Sequence, residues 1–328
     1  MKVTIIGCGN AFSHENGNQS FLIEEDGRKL LLDVGSRIPS QLKKLGIDIQ
    51  DIDDIYISHQ HSDHIGGLEE VAFLNYNWIS KPQHYSESGK KIPRLIANTV
   101  LMDELWNESL KGGLKSMEGF DSTLETFFQT ERIKPNGSFD WQGWNVKLIQ
   151  QIHVMTGSMI MPTFGLIFRK EGHQTVYFTT DSQHCSPRQI EIFYKDSDVI
   201  FQDCETVGVD MSMEEGEEYF QKDDEIIRKK DIDEMTQLEY SAKGYELKTH
   251  KRFQFTSGVH ANYAQLAGYE SANAIRLPPE IKTKMWLSHY QDFVNHNMDY
   301  KGTKTNWEEE AKKDGFQGFL KVGQVFEF

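Results

Sequence analysis

Cysteine is scarce in this chain: Cys8, Cys185 and Cys204 are the only three among 328 residues, far apart and without a C-x-x-C pair. That excludes a disulfide framework and fits a reducing compartment. No apolar run approaches the length of a membrane span. Met1 to Cys8 is a short apolar strand with Lys2 as its one charge, and no longer apolar region or small-residue cleavage site follows, so a signal peptide is not expected. No internal repeat is visible, and no low-complexity linker is long enough to divide the chain. Positive charge is also short, with 35 Lys and Arg against 50 Asp and Glu and a formal net charge of −15. Proteins that grip long nucleic acid show a basic face, because phosphate contacts dominate their affinity. The deficit disfavours an extended polynucleotide and favours a small anionic substrate. A cytoplasmic protein without a membrane partner is the expectation. With 38% hydrophobic and 12% aromatic residues, the chain has enough apolar material for a sizeable core, and a single domain over residues 1–328 is expected.

Strands are expected at Lys2 to Gly7, Gln19 to Glu24 and Lys29 to Asp33, the last two joined by the turn Glu25-Asp26-Gly27. Gly7-Cys8-Gly9-Asn10 lacks the third glycine of a dinucleotide fingerprint. It reads equally as a loop lining a site or as a plain tight turn. A helix follows from Pro39 to Gly46. Further on, Arg94 to Ala97 reads as a strand and Val100 to Leu110 as a helix stopped by Gly112-Gly113. Phe127 to Lys134 and Trp144 to Val154 read as strands linked through Pro135-Asn136-Gly137. Phe164 to Arg169 and Thr175 to Thr180 form a hairpin, and Val199 to Gln202 is a buried strand. From about Val207 to Gln254 the character changes, with Glu214, Glu215, Glu217, Glu218, Asp223, Asp224 and Glu225 ahead of Arg228, Lys229 and Lys230. This charged insertion reads first as a solvated helix pair, and alternatively as an arm that caps the active site or mediates dimerisation.

The most informative stretch is His59-Gln60-His61-Ser62-Asp63-His64, which packs four metal-ligand side chains into six residues. Imidazole nitrogens and carboxylate oxygens are what zinc and related divalent ions accept. Ile52, Ile55, Tyr56 and Ile57 ahead of it read as a buried strand, and Ile65 to Phe73 after it as a helix. The ligands therefore sit at a strand-to-helix junction, where α/β sheets place their chemistry. More ligand types stand at other strand ends: His153 after Asn145 to Ile152, Asp181 after Val176 to Thr180, and His289 after Met285 to Ser288.

H-x-H-x-D-H after an apolar strand and before Gly66-Gly67 resembles the signature of the metallo-β-lactamase superfamily. The resemblance covers most of the chain. It implies an α/β fold of four layers, αββα, and a centre of two divalent ions, zinc with manganese as the alternative. By resemblance His59, His61 and His153 hold one ion, Asp63, His64 and His289 the other, and Asp181 bridges them. His61 stands where the flavodiiron oxidoreductases of this fold carry Glu, which sets that branch aside. Asp203-Cys204-Glu205-Thr206 and Ser257-Gly258-Val259-His260-Ala261 resemble motifs of the tRNase Z-like phosphodiesterases. The positions that match are Glu205 and His260, the His acting as general acid in a Glu–His pair. The implied chemistry is attack on phosphorus by water activated between two cations roughly 3.5–4 Å apart, oriented by Asp63, with His260 protonating the leaving ribose oxygen.

The tRNA-processing members carry a basic, glycine- and proline-rich arm, which is missing here. The chain looks closer to the anti-Pycsar phosphodiesterases of phages and bacteria, which hydrolyse 3′,5′-cyclic nucleotides as homodimers. A phage-encoded member would work in the host cytoplasm. The alternatives are a tRNA 3′-end endonuclease or other RNA nuclease, a non-catalytic nucleotide-binding sponge, and a glyoxalase-like thioester hydrolase. Glu205 and His260 speak against the last. Tyr263, Tyr269 and Tyr290 read as core aromatics or as stacking partners for a base.

Overall fold

Alternation along the first strands decides how the layers form, because neighbouring side chains of a strand point to opposite faces. Val3, Ile5, Phe21, Ile23, Leu30 and Leu32 join one buried cluster, while Ile6, Leu22 and Leu31 join another. The split continues with Tyr56 and Ile96 on the first side and Ile55, Ile57, Leu95 and Ala97 on the second. A sheet with two apolar faces must be covered on both.

The structure is a computed structural model that describes residues 1–76, 92–183, 185–205, 207–252, 258–269 and 277–328. One seven-stranded sheet runs in the order Val325–Glu327, Lys2–Gly7, Ser20–Glu25, Arg28–Leu32, Asp54–Ile57, Arg94–Asn98, Gln129–Ile133. A second runs Gly318–Phe319, Met285–Ser288, Val199–Asp203, Val176–Phe178, Phe164–Arg169, Trp144–Gln150, Ser138–Trp141. Phe178 ties the inner faces together, its ring 4.9 Å from both Phe21 and Phe201. Helices Ile38–Lys44, Leu68–Asn75 and Thr99–Glu104 bury Ile38, Leu42, Leu68, Val71, Leu101 and Met102 against the outer face of the first sheet. Outside the second sheet, Tyr177 meets Tyr194 of the helical segment Ile190–Tyr194 at 5.1 Å. The layers are the expected αββα.

The two sheets switch from antiparallel to parallel pairing towards the site. Arg28–Leu32, Asp54–Ile57 and Arg94–Asn98 are mutually parallel, as are Val176–Phe178, Val199–Asp203 and Met285–Ser288. The carboxyl ends of both parallel sets lie at one edge of the layers, where the ligand-type residues leave their strands.

Several local expectations are corrected. Pro135-Asn136-Gly137 does not close a hairpin: Gln129–Ile133 is an edge of the first sheet, and the chain then crosses to the second to form Ser138–Trp141 and Trp144–Gln150. Gly112-Gly113 does not stop its helix, because Lys111–Leu114 is still helical. The charged insertion is no helix pair. Glu218–Lys222 pairs with Glu225–Arg228 and Glu246–Thr249 in a small sheet beside one helix, Glu234–Ala242. Short strands lined with Lys229–Glu218 and Lys230–Glu217 ion pairs leave Phe220 as the one buried strand side chain, so the period-2 signal was hidden. Residues 253 and 254, at the end of that insertion, and Thr206 and Ser257 of the two motifs lie outside the described residues. Tyr263 and Tyr290 are buried core aromatics. Among the described residues no helix is long and apolar enough to cross a membrane.

Candidate metal centre and active site

Each ligand-type residue leaves the end of a strand, and the parallel register brings these ends together. Asp203 pairs with Ser288, so Asp203 and His289 emerge side by side. Asp181 follows the adjacent strand Val176–Phe178, His153 follows Trp144–Gln150, and His59 follows Asp54–Ile57 of the facing sheet. The turn is held by Phe164 N–H donating to Ser58 O at 3.1 Å and Tyr56 OH donating to Phe164 O at 2.8 Å. Backbone strain concentrates here: Asp33, Thr180 and His289 adopt φ of 60°, 53° and 64°. A β-branched residue in the left-handed region costs on the order of 1–3 kcal/mol, and such outliers gather at functional sites.

All seven expected ligand residues converge. His61 Nδ1 lies 3.1 Å from His59 Nε2 and 3.0 Å from His153 Nε2. Asp181 Oδ2 faces the same group, 3.5 Å from His59 Nε2 and 3.6 Å from His153 Nε2. The other oxygen, Asp181 Oδ1, lies 3.2 Å from His64 Nε2 and 3.5 Å from His289 Nδ1, while Asp63 Oδ2 is 3.3 Å from His64 Nε2. Two clusters therefore share one carboxylate, and within each the candidate ligand atoms lie within 4.8 Å of one another.

The donor chemistry fits divalent cations. His64 Nδ1–H donates to Asp33 Oδ2 at 2.8 Å and His153 Nδ1–H to Val259 O at 2.6 Å, leaving a lone pair on each Nε2. Ser58 Oγ donates to Asp33 Oδ2 at 2.7 Å, so it accepts from His59 Nδ1–H at 3.0 Å and leaves Nε2 of that ring bare as well. Outer hydrogen bonds of this kind fix the tautomer of metal-binding histidines. His64 Nε2, both oxygens of Asp181 and His289 Nδ1 are buried with no hydrogen-bond partner. Buried polar atoms are normally satisfied, and lone pairs left converging this way need a cation.

The electrostatics agree. Burial and the neighbouring imidazoles push His59 well below the ordinary histidine range, and burial pushes His153 down to about 4, so both present neutral nitrogens. Against its burial, His64 is raised well above that range by Asp181, Asp63 and Asp33. Those carboxylates would stabilise a bound cation equally. Asp63, despite burial, is held down to about 2 by His64.

His260 stands against both clusters, its ring 4.7 Å from His153 and 5.0 Å from His289. Its Nδ1–H donates to Asp203 Oδ2 at 2.9 Å. Burial opposes protonation of this ring, but Asp203, then Asp181 and Glu205, raise its pKa to about 9. Asp203 is thus a carboxylate that holds this imidazole in addition to the expected Glu205, which also raises its pKa and accepts from Asn10 Nδ2 at 2.7 Å. Sequence reasoning passed over Asp203 and Asp33 as partners, although both are strand-end carboxylates, which was the available signal. The Gly7–Asn10 loop packs against the site, with His289 N–H donating to Cys8 O at 2.7 Å. A Cβ on Gly7 would sit 1.9 Å from Asn18 O, which explains that glycine.

Comparison with known proteins agrees with this geometry. A family model described as anti-Pycsar protein Apyc1 matches residues 1–222. The anti-Pycsar protein Apyc1 of Bacillus phage BSP38 is 31% identical over 306 residues, 93% of each chain. That of Bacillus phage vB_BveM-Goe7 is 28% identical over 294 residues, 89% of this chain and 90% of the relative. Among solved structures, the metallo-β-lactamase fold protein YhfI from Bacillus subtilis matches with a TM-score of 0.59 at 19% identity, covering 100% of this chain and 99% of that one. The short form of human tRNase Z matches at 0.54 and 15% identity, again covering 100% and 99%. Such structural likenesses speak for the fold, which is that of the metallo-β-lactamases. Family, fold and the paired His/Asp clusters together make this a metal-dependent phosphodiesterase, and the chain belongs to the anti-Pycsar Apyc1 family.

Proposed function

We propose that the enzyme hydrolyses 3′,5′-cyclic nucleotides to nucleoside monophosphates at a centre of two divalent ions, zinc or manganese. His59, His61 and His153 would hold one ion, Asp63, His64 and His289 the other, with Asp181 between them. A centre of that kind would supply positive charge to offset the non-bridging oxygens of a phosphodiester and to lower the pKa of water. The role of Asp63 is to orient the attacking water in line with phosphorus. His260 keeps Nδ1 on Asp203, so Nε2 is the atom that gives its proton to the departing ribose oxygen. Asp203 positions the ring, and Glu205 adds to its charge.

The observation that carries this reading is the Asp203–His260 pair standing directly against the two ligand clusters. A leaving alkoxide needs an acid, and a histidine held protonated at neutral pH supplies one. Membership of the anti-Pycsar family supports the cyclic substrate. A cytoplasmic homodimer belongs to the same reading. The helix Glu234–Ala242 buries none of its residues and leaves Met235 and Leu238 70% and 66% exposed, which supports contact with a second copy.

The test is a panel of 3′,5′-cyclic mononucleotides beside a 3′-extended pre-tRNA, each incubated with zinc- or manganese-loaded protein and followed by chromatography. Conversion to linear monophosphates with the tRNA intact is expected. Cleavage of the tRNA alone would replace this reading by an endonuclease, and binding without conversion would replace it by a nucleotide sponge.

A further inference from the structure

The loop that follows the strand Lys2–Gly7 leaves the ligand cluster and turns outward at Phe12. Its root is part of the site: Cys8 O accepts from His289 N–H, and Asn10 holds Glu205. Phe12 N–H donates to Asn10 Oδ1 at 3.0 Å, which places the phenyl ring two residues beyond the group that holds Glu205. The ring is 81% exposed, the highest value among the large apolar side chains of the described residues. It does not hang from a loose tip. Asp292 accepts from Ser13 Oγ, from His14 N–H at 2.8 Å and from Glu15 N–H at 3.3 Å, and so clamps the loop just beyond it.

Arg37 stands beside the same loop. Its backbone N–H donates to Asn18 Oδ1 at 3.1 Å, and Nη2 donates to His14 Nε2 at 3.5 Å. Its Nε is buried with no hydrogen-bond partner, and among the described residues no carboxylate pairs with it. Arg37 lies two residues past Gly35, where a Cβ would meet Asp63 O at 2.0 Å, so it flanks the Asp63 ligand turn. The five-donor fork of this guanidinium, not neutralised by a carboxylate, can serve acceptors of a ligand.

We propose that Phe12 and Arg37 form the nucleobase site of the enzyme, Phe12 stacking on the base and Arg37 donating to acceptor atoms on its edge. This rests on the cyclic-nucleotide reading above. The ligand clusters take the phosphate, and what remains of the substrate is a flat, acceptor-bearing ring. Stacking on an aromatic face tolerates any base, since every base has a π-face. Arg37 meets acceptors that all nucleobases carry, so the site would favour having a base over which base it is.

The experiment is steady-state kinetics of the metal-loaded protein and its Phe12→Ala, Arg37→Met and Arg37→Lys variants. The substrates are cyclic AMP, cyclic UMP and the base-free methyl riboside 3′,5′-cyclic phosphate. Phe12→Ala should raise KM for both nucleotides roughly 10-fold or more, with kcat within about twofold, as for lost uniform binding. Arg37→Met should behave alike, and Arg37→Lys should recover only part, because the fork is gone. The loss should be confined to substrates that carry a base. Unchanged KM in both variants, or equal loss on the base-free ester, would overturn the proposal while the phosphodiesterase reading stands. Wild-type protein that cleaves none of the three esters would remove the underlying reading and this site with it.

Discussion

Replacing Asp203 by Asn tests the acid at its support. Asp203 is fully buried, with Oδ2 accepting from His260 Nδ1–H at 2.9 Å and Ser182 N–H at 2.8 Å, and Oδ1 accepting from Glu205 N–H at 3.0 Å. Asn keeps the shape and one oxygen but removes the charge and puts an NH2 where a donor already points. A charge-assisted bond is about twice as strong as a neutral one. Without Asp203 the largest influence raising His260 towards 9 is gone, and burial shifts the imidazole towards its neutral form. Loss of a general acid costs about 10²- to 10⁴-fold. We therefore expect kcat on cyclic nucleotides to fall by about 10²-fold or more, with metal content unchanged by elemental analysis. The second substrate decides the cause. A methyl 4-nitrophenyl phosphodiester expels nitrophenolate without needing a proton, so its hydrolysis should fall far less, by under about 10-fold. His260→Ala should reproduce this pattern, and the double variant should be little worse than either, because the two act as one unit. Equal loss on both esters would mean that Asp203 serves the ligand cluster instead of the acid. Full activity on cyclic nucleotides would remove both residues from the chemistry.

Further expectations follow from other contacts. Asp181→Asn takes the shared carboxylate from both clusters, so bound metal should drop below one ion per chain and the gain in Tm on adding zinc should vanish; retention of two ions would refute the bridging role. Asp54 is fully buried and receives Arg28 Nη2 at 2.8 Å, Arg94 Nε at 2.7 Å and Trp141 Nε1 at 2.9 Å, so Asp54→Ala should cost about 3–5 kcal/mol in denaturant unfolding, because it strands those donors. Burial works against ionisation of Asp292, but its bonds from Ser13 and the loop amides hold its pKa below the usual carboxylate value. A depressed folded pKa means that its contribution is present above the unfolded pKa, near 4, and is lost as pH falls through the folded one. The protection of amides in residues 12–16, corrected for their intrinsic exchange rates, should therefore fall at low pH, and Asp292→Asn should abolish that dependence.

Much of this protein was legible in the linear chain. His59, His61, Asp63 and His64 declare themselves because all four ligands fit within six residues at a strand-to-helix junction, where local spacing alone sets the geometry. His153, Asp181 and His289 were recognisable as polar ligand types after apolar runs, and it is the superfamily resemblance that gave them the role of ligands. The αββα layers followed from the resemblance carried by His59 to His64, whereas the faces of Val3 to Ile6 and Phe21 to Ile23 emerge only in the folded chain, since nearly every one of these residues is apolar.

Only the tertiary structure decided the rest. That Asp203 acts on His260 beside Glu205 depends on where the strand Val199–Asp203 ends. Asp203 and His260 lie 57 positions apart and meet because the loop carrying His260 is tied to the strand ends, Ala261 N–H donating to Ser182 O, which no local pattern encodes. The crossing at Pro135-Asn136-Gly137 looks like any tight turn until the sheets to which its flanks belong are known. Phe12 and Arg37 carry no motif, and they come to notice through exposure, a missing counter-charge and their place on the segments that border the ligand clusters. Spacing within a few residues is set by covalent geometry and therefore visible in sequence; the pairing of distant strand ends is set by packing the two sheets, and only the folded chain reveals it.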